Sequence, residues 1–237
     1  MNASDTDLKT SDAGSLSPAP SGIAGKYGAL LFDMDGTLLS SIKAAERIWG
    51  AWAARQGLDV DAFLKTIHGA RAIDTIRQLA LPGIDAEREA QEITRAEIAD
   101  IDGVVEIPGA IRFLLSLPSD KWAIVTSAPK ALAMRRLQAA GIPLPAVLIT
   151  SEDVERGKPQ PDCYLLAAQK LGVSSNDCLI FEDAAAGIAA GETAGATVVV
   201  VTSTHEHKIE TTHATICNYE ELFAEVDANG LMHIKAH

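Results

Sequence analysis

The chain has 237 residues, 47% of them hydrophobic, and a formal net charge of −12. That length suits one domain with an insertion or two small domains, and no apolar run approaches the roughly 18 residues of a membrane span. The acidic balance argues against non-specific binding to nucleic acid or an anionic membrane, so an anionic substrate would need local positive charge from a metal, a lysine or a helix N-terminus.

In chain order, Met1–Ala24 is rich in Ser, Ala, Asp and Pro and has no apolar periodic face. Residues 1–26 are expected to form a disordered tail. The segment lacks the basic start and apolar stretch of a secretory signal, so a cytoplasmic location is expected. Ala29–Phe32 is the first short apolar run, and Asp33–Leu39 follows it. A long helical stretch from Ile42 to about Asp102 then contains Ala44–Gln56, Ala70–Leu79 and Ala86–Ile101, joined by Gly/Pro/Asp turns. With no strand signal inside it, this stretch reads as an inserted helical bundle.

After Pro108 the pattern changes. A helix is expected over Gly109–Leu117, then apolar runs at Trp122–Val125, Val147–Thr150, Cys178–Phe181 and Thr197–Val201 alternate with helical segments Lys130–Ala140, Asp162–Leu171 and Ala186–Ala194. Gly141, Gly172 and Gly195 stand just past those helices, where a left-handed cap suits glycine. Continuous β-branched runs fit strands buried on both faces of a parallel sheet. The reading is an α/β doubly wound parallel sheet over residues 27–42 and 106–237, with a helical bundle inserted at 43–105. The tail predicts a short run at Ala214–Cys217, a helix near Tyr219–Val226 and an edge strand at Leu231–Ile234.

Cys163, Cys178 and Cys217 form an odd, sparse set, which suggests reduced thiols. Cys178 opens an apolar run and is read as core. His205, His207 and His213 lack the cysteine or carboxylate spacing of a metal tract and are read as a solvated loop.

The chemistry concentrates at predicted strand ends. Asp33-Met34-Asp35-Gly36-Thr37 follows the first strand, and ligands of parallel sheets bind beyond the carboxyl ends of strands. Two carboxylates two residues apart, on a turn opened by Gly36, can face one small ligand. Thr126-Ser127-Ala128 places hydroxyls and backbone N–H groups after Trp122–Val125. Lys158 sits in Gly157-Lys158-Pro159-Gln160-Pro161, and Glu182-Asp183 follows Cys178–Phe181. Carboxylates clustered at one sheet edge are unfavourable unless a cation compensates. An oxygen-rich acidic cluster suits Mg²⁺, which keeps waters and a substrate phosphate in its shell.

The order DMDGT, VTSA, GKPQPD, FEDAAAG resembles the haloacid dehalogenase superfamily in its phosphatase branch, over Tyr27 to about Val201. HGARAIDTIRQL, WAIVTSA and GKPQPDCYLLAAQKLG resemble, within it, the bacterial sugar phosphatases and the yeast glycerol-phosphate and 2-deoxyglucose-6-phosphate phosphatases. The resemblance implies a small phosphorylated sugar or polyol as substrate. It implies Asp33 as nucleophile, Asp35 as general acid and then base, and Lys158 as the cation that neutralises phosphate and Asp33. Ser127 would hold the phosphate with the Ala128 N–H, Thr126 being the alternative one residue earlier. Asp33, Asp183 and the backbone carbonyl of Asp35 would hold Mg²⁺, with Glu182 as a ligand or just behind one. The helical insertion would be a cap that excludes water. Its turn His68-Gly69-Ala70-Arg71 would touch the ligand through His68 and Arg71. Glu46 and Trp49 are further cap candidates, Trp49 fitting the cap core as well.

Two other activities share the superfamily. Metal-free dehalogenases would leave Asp35 and the Glu182-Asp183 pair without a task. Phosphosugar mutases share all four motifs. The related mutase carries a bulkier aliphatic residue at the position of Thr37, and a histidine twelve residues after the nucleophile, where this chain has Ala45. A Thr37 hydroxyl would orient Asp35 to activate water, which favours hydrolysis.

Overall fold

The computed structural model describes Ile23, residues 25–205 and residues 209–236. In the first half, β1 (Lys26–Tyr27), β2 (Ala29–Phe32) and β3 (Leu39–Ser40) precede α1 (Ile42–Arg55), α2 (Val60–Leu64), α3 (Ala72–Gln78) and α4 (Ala86–Ala99). Then come β4 (Val105–Glu106), α5 (Ala110–Ser116), β5 (Trp122–Val125), α6 (Lys130–Ala140), β6 (Val147–Ile149), α7 (Asp162–Lys170), β7 (Cys178–Glu182), α8 (Ala185–Thr193) and β8 (Thr197–Val201). The chain closes with β9 (Ala214–Ile216), β10 (Leu222–Val226) and β11 (Met232–Ala236).

The apolar runs pair as one six-stranded sheet in the order β6-β5-β2-β7-β8-β9, parallel throughout. Each strand feeds both faces, because successive side chains point to opposite sides. Leu30 and Phe32 of β2, Trp122 and Ile124 of β5, and Leu179 and Phe181 of β7 pack into one core, with α5 and α6 against them. Ala29, Leu31, Ala123, Val125, Cys178 and Ile180 face the opposite core, under α7 and α8. Phe32 stacks on Phe181 at 4.8 Å between ring centroids. Truncating a buried aromatic of this kind to alanine costs about 3–5 kcal/mol. Helices on both faces make the sheet doubly wound.

The insertion α1–α4 has its own apolar cluster around Trp49, Trp52, Phe63, Ile76 and Ile93. It leaves and re-enters the sheet domain through the antiparallel pair β3–β4, Leu39 opposite Glu106. Helix α4 packs against α6 of the sheet domain.

Three expectations need correction. The segment near Tyr219–Val226 is no helix: Leu222–Val226 is strand β10, paired antiparallel with β11 from Leu222↔Ala236 to Val226↔Met232. The turn decides this. Asp227 Oδ1 accepts N–H bonds from Asn229 and Leu231, and Gly230 takes φ 77°. That turn closes a hairpin, and the cross-strand ladder overrides the local helical preference of Glu220–Glu225. Strand β11 is not an edge strand, since β1 and β10 flank it. The tail boundary also moves. Lys26 belongs to β1, and Ile23 is buried in the first core. Residues 1–22 and 24 lie outside the described part of the chain, as does His207. Helix α2 was not anticipated. Among the described residues no helix is long and apolar enough to cross a membrane.

Candidate active site

Strand β2 lies between β5 and β7, and the chain leaves it first toward β5 and later crosses to β7. A crevice opens at such a switch point beyond the strand ends. Asp33 follows β2, Glu182 ends β7, and Asp183 comes next; the register Phe32↔Phe181 sets them side by side. Lys158, from the loop between β6 and α7, reaches across all three central strands. Its Nζ donates to Asp33 Oδ1 at 2.5 Å, Glu182 Oε1 at 2.6 Å and the Val125 carbonyl at 3.2 Å.

Glu182 is fully engaged. Its Oε1 also accepts from the Tyr164 hydroxyl at 2.8 Å, and Oε2 accepts the N–H groups of Asp183 and Ala184 at 2.9 and 3.1 Å. A carboxylate offers about four lone pairs, and all four are in use. The approach is close enough that a Cβ at Gly187 would collide with this carboxylate. Glu182 therefore anchors Lys158 and the strand end. Asp33 and Asp183 are the carboxylates with capacity for another partner.

Burial pushes the Asp33 carboxyl up to about 8; Lys158 opposes this, and Glu182 and Asp35 add to it. Burial, with Asp33 and Glu182 beside it, holds Asp183 well above the carboxylate range. Lys158 stays protonated: its burial works against the charge, but Asp33 and Glu182 outweigh it and raise its pKa well above the usual lysine value. Carboxylate oxygens of Asp33, Glu182 and Asp183 lie within 4.8 Å of one another. Once ionised, three carboxylates against one ammonium leave two negative charges in excess, which one divalent cation balances. The donors are all hard oxygens, the type Mg²⁺ takes. Gly36, at φ 86°, makes room: a Cβ there would strike Asp183 Oδ2. The residues present fit a Mg²⁺ site. The Asp35 carboxylate stands outside this group.

Asp35 Oδ1 accepts from Ser41 Oγ at 2.6 Å, and Oδ2 pairs with Arg136 Nη1 at 3.0 Å. Thr37 does not hold it. The Thr37 hydroxyl, fully buried, turns toward β7 and donates to Asp183 Oδ1 at 3.3 Å. The orienting hydroxyl expected from Thr37 comes from Ser41 instead, and Thr37 has no face on the cavity.

Beyond Asp33 lies a cavity of about 640 Å³ between the sheet edge and the helical insertion. Thr126, Ser127 and Ala128 line it from the core, His68, Trp49 and Ala45 from the insertion. Ser127 Oγ donates across the gap to the Gly69 carbonyl at 2.9 Å, and the Ala128 N–H is taken by Thr126 Oγ1 at 3.0 Å. Trp49 also packs with Trp52 and Phe63 in the insertion's core. His68 is held below its usual value by burial, which Glu46 partly offsets. Glu46 is exposed and off the cavity wall. Arg71 is off it as well. Its Nε bonds Asp74 at 2.6 Å, and its Nη1 bonds the Glu155 carbonyl at 3.0 Å, over Gly157. It joins insertion to core and does not reach into the cavity.

Five residues escaped the sequence reading: Ser41, Glu97, Arg136, Tyr164 and His205. His205 Nε2 lies 2.9 Å from the Asp183 carbonyl, which only accepts, so that nitrogen carries hydrogen. It is a site neighbour and no solvated loop residue; His213, by contrast, pairs with exposed Glu192. A signal existed for two of the five. Arg136 continues the apolar positions Leu132, Ala133 and Leu137 of α6, and Glu97 continues Ala90 and Ile93 of α4. A charge inside an apolar stripe calls for a partner.

The haloacid dehalogenase-like hydrolase family model matches residues 27–195. The chain belongs to that family, and within it to the phosphatases, enzymes that hydrolyse phosphoric monoesters. It is 42% identical over 175 residues to hexitol phosphatase A of Escherichia coli, covering 72% of this chain and 81% of that one. It is 34% identical over 194 residues to glycerol-1-phosphate phosphohydrolase 2 of Saccharomyces cerevisiae, with coverage of 76% and 77%. Among solved structures, a hydrolase from Pseudomonas syringae superposes with a TM-score of 0.68 at 25% identity, covering 80% of this chain and 93% of that one.

Proposed function

We propose that this chain hydrolyses a small sugar or polyol phosphate, with Mg²⁺, through an aspartyl-phosphate on Asp33. The observation that carries the reading is the Asp33 carboxylate at the switch point, gripped by Lys158 and facing Asp183. In the first step an Asp33 oxygen attacks phosphorus and the bond from phosphorus to the sugar oxygen breaks. Asp35 gives its proton to that leaving oxygen. In the second, Asp35 takes a proton from water as the water oxygen attacks phosphorus. The phosphorus–Asp33 bond breaks, its electron pair returns to the carboxylate, and inorganic phosphate leaves.

Lys158 supplies positive charge to Asp33 and the phosphate oxygens. Ser127 and the Ala128 N–H take phosphate oxygens once they release the Gly69 carbonyl and Thr126 Oγ1, so substrate entry couples to movement of the insertion as a cap. Asp33, Asp183 and the Asp35 carbonyl would hold Mg²⁺, with Glu182 behind them. When bound, the ion supplies Lewis-acid stabilisation of phosphoryl charge. His68 offers a neutral donor or acceptor to the sugar hydroxyls. The relatives named for hexitol and glycerol phosphates support this substrate class. Such substrates are cytoplasmic metabolites, which is consistent with a cytoplasmic location.

Hydrolysis is favoured over phosphate migration because Ala45, on the cavity wall, carries no group to move a proton on a second hydroxyl. The test incubates the protein with Mg²⁺ and a panel of hexitol, glycerol and hexose phosphates, followed by ³¹P NMR. One sample holds glucose 1-phosphate with a trace of glucose 1,6-bisphosphate. Free phosphate without positional isomers is expected; glucose 6-phosphate forming faster than inorganic phosphate would overturn the reading.

A further inference from the structure

We propose that Arg136 is a positioning residue for the proton transfer at Asp35, and that Glu97 of the insertion holds Arg136 in place for it. The inference rests on the phosphatase reading and extends it to residues beyond its four motifs. Arg136 stands on α6, in the sheet domain, with a side chain 7% exposed. Its two terminal nitrogens serve different carboxylates. Nη1 pairs with Asp35 Oδ2 at 3.0 Å, and Nη2 with Glu97 Oε1 at 2.9 Å. Glu97 is as buried as Arg136, whereas the Asp35 side chain keeps 28% exposure; all three residues line the cavity.

The geometry points to a division of work. A guanidinium is a rigid planar fork, so fixing one edge fixes the other. Glu97 fixes the edge away from Asp35. The opposite edge then presents one N–H to Asp35. Ser41 grips the second Asp35 oxygen from the other side at 2.6 Å. Held at both oxygens, the carboxyl keeps one orientation and leaves its remaining lone pairs toward the cavity. The same N–H faces the negative charge that Asp35 acquires when its proton passes to the leaving oxygen, and charge that develops during the step is what a preorganised donor stabilises. Because Glu97 comes from α4 of the insertion, the arrangement is complete only with the insertion seated on the core.

A residue that serves proton donation has a signature that a merely structural one lacks. An alkoxide leaving group needs the proton, while p-nitrophenolate departs with little help. The kcat/KM values report the half-reaction through the first P–O cleavage. The experiment compares kcat/KM for glycerol 1-phosphate or a hexitol phosphate with that for p-nitrophenyl phosphate, in Arg136→Ala, Arg136→Lys, Glu97→Gln and Asp33→Asn, each checked for folding by circular dichroism.

General acid catalysis contributes about 10²–10⁴-fold, so Arg136→Ala is expected to lower the alkyl-to-aryl ratio of kcat/KM by at least about tenfold. Arg136→Lys should recover part of the ratio, since one ammonium can meet Asp35 but not both carboxylates. Glu97→Gln should shift it in the same direction by less. Should Arg136→Ala fail to fold, the other two variants carry the same ratio test. Equal losses of kcat/KM on both esters would overturn the inference. Asp33→Asn should lose both esters alike. Wild-type protein inert toward both would overturn the phosphatase reading itself.

Discussion

Two charged clusters meet at the carboxyl edge of the sheet, and they are built in different ways. The Lys158 cluster joins Asp33, Glu182 and the Val125 carbonyl, all from strand ends or the loop beside them. It is buried, and its parts lie within one rigid layer. The Arg136 cluster joins Asp35 from the loop after β2, Arg136 from a core helix and Glu97 from the insertion. It is assembled across a boundary between two apolar cores. The difference teaches that the site separates what must stay fixed from what can come and go. Asp33 is held from within the sheet domain alone. Asp35 is held by a bond network that includes Glu97 of the insertion.

The comparison breaks most sharply at Asp33. Asp33→Asn should fold and lose turnover by more than about 10³-fold, as removal of a nucleophile does; phosphate release from a fold-checked protein that stays within tenfold of wild type would contradict it. Chelation comes next. EDTA should stop phosphate release and Mg²⁺ should restore it, while Ca²⁺ should inhibit because its larger, looser shell misplaces the groups. Activity that persists through EDTA would remove the metal from the site.

The strand-end cluster should also dominate stability. Lys158→Met strands Asp33 and Glu182 without their buried partner and is expected to cost about 3–5 kcal/mol in urea unfolding. Its dependence on pH has a definite sign. Burial pushes Asp33 up to about 8 in the folded protein, against about 4 unfolded. A raised carboxyl contributes stability that is fully present below about pH 4 and is lost as pH rises through about 8. Without metal, the midpoint of thermal unfolding should therefore fall across that window. Mg²⁺, which needs the deprotonated carboxylate, should raise the midpoint more at pH 8 than at pH 5. A Mg²⁺ shift independent of pH would dissociate the ion from Asp33.

The smallest effect is expected at the boundary. Arg71 is partly exposed, and its bonds run to Asp74 and the Glu155 carbonyl. Arg71→Ala should cost about 1 kcal/mol or less and change KM for every sugar phosphate by the same factor. A reordering of the substrate profile would return Arg71 to the ligand.

The sheet was legible because its strands carry a local signal. Runs such as Cys178–Phe181 and Val198–Val201 are apolar at every position, the pattern of strands buried on both faces. The acidic motifs were legible because they follow those runs directly. Segment Tyr219–Val226 was misread because its own residues tolerate a helix, and the partner strand that decides the matter begins at Met232. Thr37 was misassigned for a related reason: spacing placed it near Asp35, but the turn at Gly36 swings its hydroxyl to Asp183.

By itself the sequence determined the doubly wound core, the insertion between Asp35 and the second strand of the sheet, and the residues Asp33, Lys158, Glu182 and Asp183. Each of those follows from a short window of chain, in which hydrophobic period and turn chemistry act locally. Tertiary structure alone decided which oxygen each of them meets. Glu182 became an anchor because Tyr164 and two main-chain N–H groups fill its lone pairs. Arg136 and Glu97 became partners because helices far apart in sequence pack side by side. Hydrogen bonds are directional and short, so their pairing is set only when the backbone has brought the atoms within about 3 Å.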